Sequence, residues 1–205
     1  MTDSQALSNL QIPHDIIVAS DNDPHVKRLI QQNFAVKHWY DDMLQTPVAA
    51  MPDKLDLYSC GFPCQPYSSA GRNKGLADDR CAPMAAMLEY IAERKPNMVI
   101  LESVSNFATK HKAVYKKLMK YLGSLGLYTV HSKLLSTSSY GIPQSRTRIY
   151  IVAIKTRLLR LPFKWPTPIR AKPLSVLGAG KIKPSSRVQE SIHDCSQRRR
   201  TRVTW

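Results

Sequence analysis

Short apolar runs that alternate with helix-patterned segments constrain this chain more than any other feature. Ile16-Ile17-Val18-Ala19, Leu55-Asp56-Leu57-Tyr58-Ser59, Met98-Val99-Ile100-Leu101 and Arg148-Ile149-Tyr150-Ile151-Val152-Ala153 have strand length and apolar, often β-branched character. Ala35 to Trp39 and Tyr128 to Leu135 read as further strands. Between them, three sets of apolar residues recur at helical spacing: Val26, Leu29, Ile30 and Phe34; Met84, Met87, Leu88 and Ile91; Val114, Leu118, Leu122 and Leu125. Ser4 to Leu10 reads as the end of another helix. Pro24 suits a first helical turn with Asp23 as its cap, and Gly123 and Gly126 are stop signals. Strands and helices in alternation imply an α/β fold with a mostly parallel sheet covered on both faces.

In open sheets of this kind, ligands and chemistry collect beyond the carboxyl ends of the strands. Acidic residues stand there in three places: Asp21 and Asp23 after Ala19, Asp41 and Asp42 after the run that ends at Trp39, and Glu102 after Leu101. Beyond Ser59 comes Gly61-Phe62-Pro63-Cys64-Gln65-Pro66-Tyr67-Ser68-Ser69-Ala70-Gly71. Here two prolines stiffen the backbone around a thiol, and a run of small residues follows.

Charge narrows the partner. The net charge is +15, and from Ile151 to Trp205 there are 13 Lys or Arg against only Glu190 and Asp194. A polyanion is expected, nucleic acid ahead of a membrane surface. Prolines at 162, 166, 168, 173 and 184 mark a change of character. The division expected is a core over 1–161 and a proline-rich basic linker and tail over 162–205, weakly ordered from about residue 178. No apolar run approaches membrane-span length, and no basic start precedes an apolar core, so an intracellular protein is expected. That means the nucleus in a eukaryote, or the cytoplasm and nucleoid in a bacterium. The four cysteines, Cys60, Cys64, Cys81 and Cys195, lack CxxC spacing and a zinc-completing histidine. They read as free thiols, with no metal site.

The run from Gly61 to Gly71 closely resembles the catalytic Pro-Cys loop of the cytosine-C5 DNA methyltransferases. Two more motifs follow in that family's order. Lys95-Pro96-Asn97-Met98-Val99-Ile100-Leu101-Glu102-Ser103-Val104 resembles its Glu-Asn-Val segment, with Ser103 in place of an asparagine thought to brace the loop. Ser139-Tyr140-Gly141-Ile142-Pro143-Gln144-Ser145-Arg146-Thr147-Arg148 matches its Gln-x-Arg-x-Arg motif. Asp78-Asp79-Arg80 and Trp165-Pro166 are weaker matches.

The resemblance implies transfer of a methyl group from S-adenosylmethionine to C5 of a cytosine flipped out of double-stranded DNA. Cytosine C6 is a poor electrophile, so the reaction needs a soft nucleophile and a proton donor at N3. Cys64 fits the first role, forming a covalent bond to C6. Glu102, desolvated at the end of an apolar strand, fits the second. Alternation places Gln144, Arg146 and Arg148 on one face of a starting strand. The resemblance gives the cytosine O2 to Arg148 and loop bracing to Arg146. It also puts Pro63, Ser68 and Gln144 against the substrate, and Pro63 against the cofactor. Asp21, rather than Asp23, would hold the cofactor ribose and Asp42 its adenine.

The family's first strand and its Phe-x-Gly-x-Gly turn have no counterpart, since no glycine precedes Gly61. The fold expected is therefore a Rossmann-like S-adenosylmethionine-dependent methyltransferase sheet without its first strand. Strands 16–20 and 55–59 then lose the partner between them. No target-recognition region or later motif is recognised after Gly178, so a partial core of a larger enzyme is expected, with the activity of this chain alone left open. Two alternatives stay open. One is a non-catalytic nucleic-acid-binding remnant that uses Arg198-Arg199-Arg200-Thr201-Arg202, a run that also suits nuclear import. The other is the same chemistry on RNA, as in the family's tRNA-methylating branch.

Overall fold

A computed structural model describes residues 2–45, 48, 52–62, 82–169 and 201–204. Its helices are α1 (Thr2–Asn9), α2 (Pro24–Asn33), α3 (Ala82–Arg94), α4 (Ser105–Thr109) and α5 (Lys112–Ser124). Its strands are β1 (His14–Ser20), β2 (Val36–Tyr40), β3 (Leu57–Gly61), β4 (Met98–Val104), β5 (Tyr128–Ser136), β6 (Thr147–Lys155) and β7 (Thr201–Thr204). The strands form one sheet in the order β2-β1-β7-β3-β4-β6-β5. Strands β2, β1, β7, β3 and β4 are mutually parallel, and β6 runs antiparallel between β4 and β5.

Local sequence explains most of these elements. Ile16, Ile17, Val18 and Ala19 are all buried, as a strand covered on both faces requires. In β4, Val99, Leu101 and Ser103 are buried while Ile100 and Glu102 between them are half-buried. Helix α2 begins at Pro24, and the Asp23 carboxylate accepts from the backbone N–H of His25 at 2.7 Å. Helix α3 buries Met84, Met87, Tyr90 and Ile91, and α5 buries Leu118 and Leu122. Helix α2 departs from its expected stripe: it buries no residue, and Leu29 is 62% exposed.

The larger correction concerns the centre of the sheet. Strands β1 and β3 do not lack a partner, because β7 lies between them. It pairs with His14, Asp15, Ile16 and Val18 on one side and with Leu57 and Tyr58 on the other. Three of its four residues, Thr201, Val203 and Thr204, are β-branched and suit a strand. The tail expected over 178–205 thus ends in the sheet. The physical reason is hydrogen bonding: buried N–H and C=O groups on the facing edges of β1 and β3 must be paired. No helix among the described residues is long and apolar enough to cross a membrane.

Candidate active site

Three residues stand level at the carboxyl edge of the central strands. Gly61 pairs in register with Glu102, and Glu102 with Tyr150. The Glu102 carboxylate leans toward β3, with Oε2 3.7 Å from where a β-carbon on Gly61 would sit. Its other oxygen lies 3.1 Å from Nε of Arg148. The two side chains are 30% and 22% exposed, so the pair is half withdrawn from water. Arg148 Nη1 also donates to the Thr147 carbonyl at 2.9 Å, which locks one arm of the fork.

Just past Gly61, Phe62 is buried edge-on against Phe107, with ring centroids 5.1 Å apart. Phe107 is itself fully buried and meets Tyr115 edge-on. This aromatic column fixes the point from which the chain leaves β3. Pro63, Cys64 and Ser68 follow directly in sequence and lie outside the described residues, as do Asp78-Asp79-Arg80. Ser103 is 1% exposed on the face of β4 opposite Glu102. Its hydroxyl has no hydrogen-bond partner among the described residues.

Gln144 and Arg146 do not share a strand face with Arg148. Strand β6 begins only at Thr147, and both residues belong to the bend before it. Pro143 and Gly141 explain the delay: Gly141 adopts φ 81°, and the Thr137 hydroxyl and N–H tie the bend back at the Gln144 and Arg146 carbonyls. Arg148 is held on Glu102, whereas Arg146 is exposed. Gln144 is exposed and lines neither cavity described next.

Two cavities meet at this edge. The larger, about 600 Å³, runs from Ala19, Ser20 and Asp21 across Ser59, Cys60 and Gly61 to Glu102. The smaller, about 230 Å³, is bounded by Leu135, Tyr140, Ile142, Arg148 and Pro166. Arg146 and Tyr150 line both. The larger cavity has the size of a small-molecule site. Asp21 stands at its rim with Val26, Ile30 and Met43 as an apolar wall, which suits a nucleoside. Asp42 is not in this lining; its carboxylate accepts from the backbone N–H of Leu44 at 2.8 Å.

Sequence reasoning missed three residues of the larger cavity. Asp3, from α1, receives the Ser59 hydroxyl at 2.6 Å. Burial raises its carboxyl above the usual range, opposed by that hydrogen bond. Burial also raises the Tyr150 hydroxyl, with Glu102 and Asp3 adding to the effect and the two arginines opposing it. Tyr150 therefore stays a neutral donor. Burial pushes the free thiol of Cys60 up to about 11, which keeps it protonated and unreactive. The alternation along β6 that placed Arg148 also pointed to Tyr150. Nothing local pointed to Asp3, which reaches the cavity only through the packing of α1.

Comparison with known proteins adds a family. The model described as C-5 cytosine-specific DNA methylase matches residues 4–202. The chain is similar to the type II methyltransferase M.HhaI of Haemophilus parahaemolyticus, at 29% identity over 88% of this chain and 54% of that protein. It is 34% identical to M.HaeII of Haemophilus aegyptius over 75% of this chain and 46% of that one. The chain thus spans about half the length of these curated relatives. In fold it is similar to the Dnmt2 methyltransferase of S. pombe, with a TM-score of 0.59 at 21% identity over 89% of this chain and 53% of that chain.

Proposed function

The chain belongs to the C-5 cytosine-specific DNA methylases, and from that premise we propose that it carries the reaction centre for methylating cytosine C5 in DNA. The observation that carries this reading is the meeting of two cavities at Arg146 and Tyr150, with Glu102 on the wall of the larger. One has room for a nucleoside-bearing cofactor, the other for a single base, and the polar groups stand between them.

The larger cavity fits S-adenosylmethionine in its nucleoside half, where Asp21 would hold the ribose hydroxyls. Met43 and Ile30 would flank the adenine. The bound cofactor supplies an electrophilic methyl group. On the substrate side, the Cys64 thiolate adds to C6 while the Glu102 carboxyl gives its proton to N3. Arg148, already held against Glu102, keeps that carboxyl beside the base and offers its remaining N–H groups to O2. Arg146, exposed at the mouth, would meet the loop or a phosphate. Once C5 is methylated, a base removes the C5 proton, the thiolate leaves C6, and the N3 proton returns to the Glu102 carboxylate. The base must leave the duplex stack for any of these contacts to form. The division at residue 161 into core and basic linker belongs to this reading, as does an intracellular location.

Trapping on duplex DNA that contains 5-fluorocytosine tests it, with intact-protein mass as the readout. Fluorine at C5 cannot leave as a proton does, so the expected result is a methylated adduct that needs S-adenosylmethionine and is absent from Cys64→Ser. No adduct from soluble, DNA-binding protein would overturn the reading.

A further inference from the structure

A separate cavity of about 310 Å³ lies at the opposite edge of the sheet. Strand β6 takes five residues to run from Tyr150 to Lys155, so the two edges stand about 17 Å apart at ~3.4 Å per residue. The walls are the approach to β3, the turn between α3 and β4, and the end of β6. Cations outnumber acids in this lining. Lys54, Arg94, Lys95, Lys155 and Arg157 face the two carboxylates of Asp53 and Asp56. Arg94 is bridged to Asp53, and Asp56 accepts from the Asn97 amide at 3.0 Å. Lys155 donates to the Asn97 side-chain oxygen at 3.1 Å and, among the described residues, to no carboxylate. Neither Lys95 nor Arg157 has an ion-pair partner among the described residues. Burial, then the charges of Arg157 and Lys95, hold the Lys155 ammonium below its usual range.

Lys95 adds an independent observation. Its φ is 47°, the left-handed region that glycine takes freely at a helix end and a β-carbon resists. It also precedes Pro96, which restricts it further. The position that ends α3 thus carries a strained cation rather than a relaxed glycine. Strain of this kind gathers where a site holds a group in place.

We propose that this hollow binds a phosphate group through Lys95, Lys155 and Arg157. A phosphate dianion brings strong acceptors in several directions, which suits one guanidinium fork and two ammonium groups. Asn97 keeps Lys155 aimed at it. The volume admits a phosphate with a small organic group attached. The phosphate comes from a free phosphorylated small molecule or from a nucleic-acid backbone that passes this edge. The site does not depend on the methylation reading, since among the described residues it shares none with either catalytic cavity.

Calorimetric titration of the full chain with inorganic phosphate, against chloride at equal ionic strength, tests the proposal. Saturable binding is expected, about tenfold weaker in Arg157→Gln and in Lys155→Gln. Lys95→Gly is the discriminating variant. It relieves the backbone and raises the thermal midpoint, yet removes a cation and weakens phosphate binding about tenfold. A merely structural lysine would leave phosphate affinity unchanged. Competition names the source: displacement by a nucleoside monophosphate alone indicates a small molecule, and displacement by a cytosine-free oligonucleotide indicates a backbone. No saturable phosphate binding by the intact chain, or affinity unchanged in both Lys95→Gly and Arg157→Gln, overturns the proposal.

Discussion

Arg148 reaches Glu102 diagonally, across two strands that place other residues opposite each of them. The register partner of Arg148 is Val104 and that of Glu102 is Tyr150, yet Nε of Arg148 lies 3.1 Å from Glu102 Oε1. Diagonal neighbours on one sheet face are within reach of long side chains. The pair therefore fixes a carboxyl group at the strand end without using either residue's backbone partner.

Both side chains keep some water contact, so the pair contributes little to stability, at most about 1 kcal/mol. Its value lies in position. Glu102→Gln is expected to lower methyl transfer about 10²- to 10⁴-fold with an unchanged unfolding midpoint. Arg148→Lys keeps the charge and loses the fork, so activity should fall while stability holds. Rate and denaturant midpoint measured on the same preparations check this; equal losses in both would make the pair structural.

How much of this centre was legible depended on local chemistry. Glu102 follows an uninterrupted apolar strand, and Asp23 precedes a proline-started helix, so their places could be read from neighbours alone. Arg146 and Gln144 could not, because the start of β6 is set by the tied bend at Thr137 and not by alternation. Strand β7 was hidden because Arg202 continues a basic run typical of an exposed tail. Its place depends on two edges contributed by residues far away in the chain. Asp3 was hidden for the same reason: its burial comes from the packing of α1.

Ser103 gives the next prediction. Its hydroxyl is buried without a hydrogen-bond partner among the described residues. Removing an unsatisfied buried hydroxyl regains desolvation energy of about 1 kcal/mol. Ser103→Ala should therefore raise the urea midpoint with an unchanged slope. A lower midpoint would show that the hydroxyl is used, with the segment that carries Cys64 as the nearest claimant in the family's pattern.

The aromatic column predicts coupling between the core and the departure point of that segment. Phe107 is fully buried against both Phe62 and Tyr115. Phe107→Ala should cost about 3–5 kcal/mol, as large cavities do. The double variant with Phe62→Leu should cost less than the two single losses added together, since the residues share one contact. Additive losses in equilibrium unfolding would separate them.

Asp3 predicts a pH dependence whose sign is unusual for a carboxylate. Burial raises its folded-state pKa above the ordinary value of 3.8, so the folded state holds this proton more tightly than the unfolded chain does. The resulting stabilisation is complete below the ordinary pKa and is lost as pH rises through the folded one. Asp3→Asn should therefore be more stable than the parent at pH 7, with the difference shrinking toward pH 3. Denaturation at both values checks the sign. A gain confined to low pH would mean that the Ser59 hydrogen bond outweighs burial.

Strand β7 gives the sharpest test of the fold. It meets β1 at four positions and β3 at two, so its removal strips the facing edges of both strands at once. At roughly 1 kcal/mol per ladder hydrogen bond, a chain that lacks residues 201–205 should lose several kcal/mol. The loss should also be local. Strands β4, β6 and β5 keep their antiparallel ladders, each seven or nine pairs long. In hydrogen exchange, amides of Ile16, Val18 and Tyr58 should lose protection on truncation, while Ile151 and Ala153 keep theirs. Unchanged protection at Val18 and Tyr58 would mean that another segment occupies the slot between β1 and β3 and that the carboxyl terminus lies elsewhere.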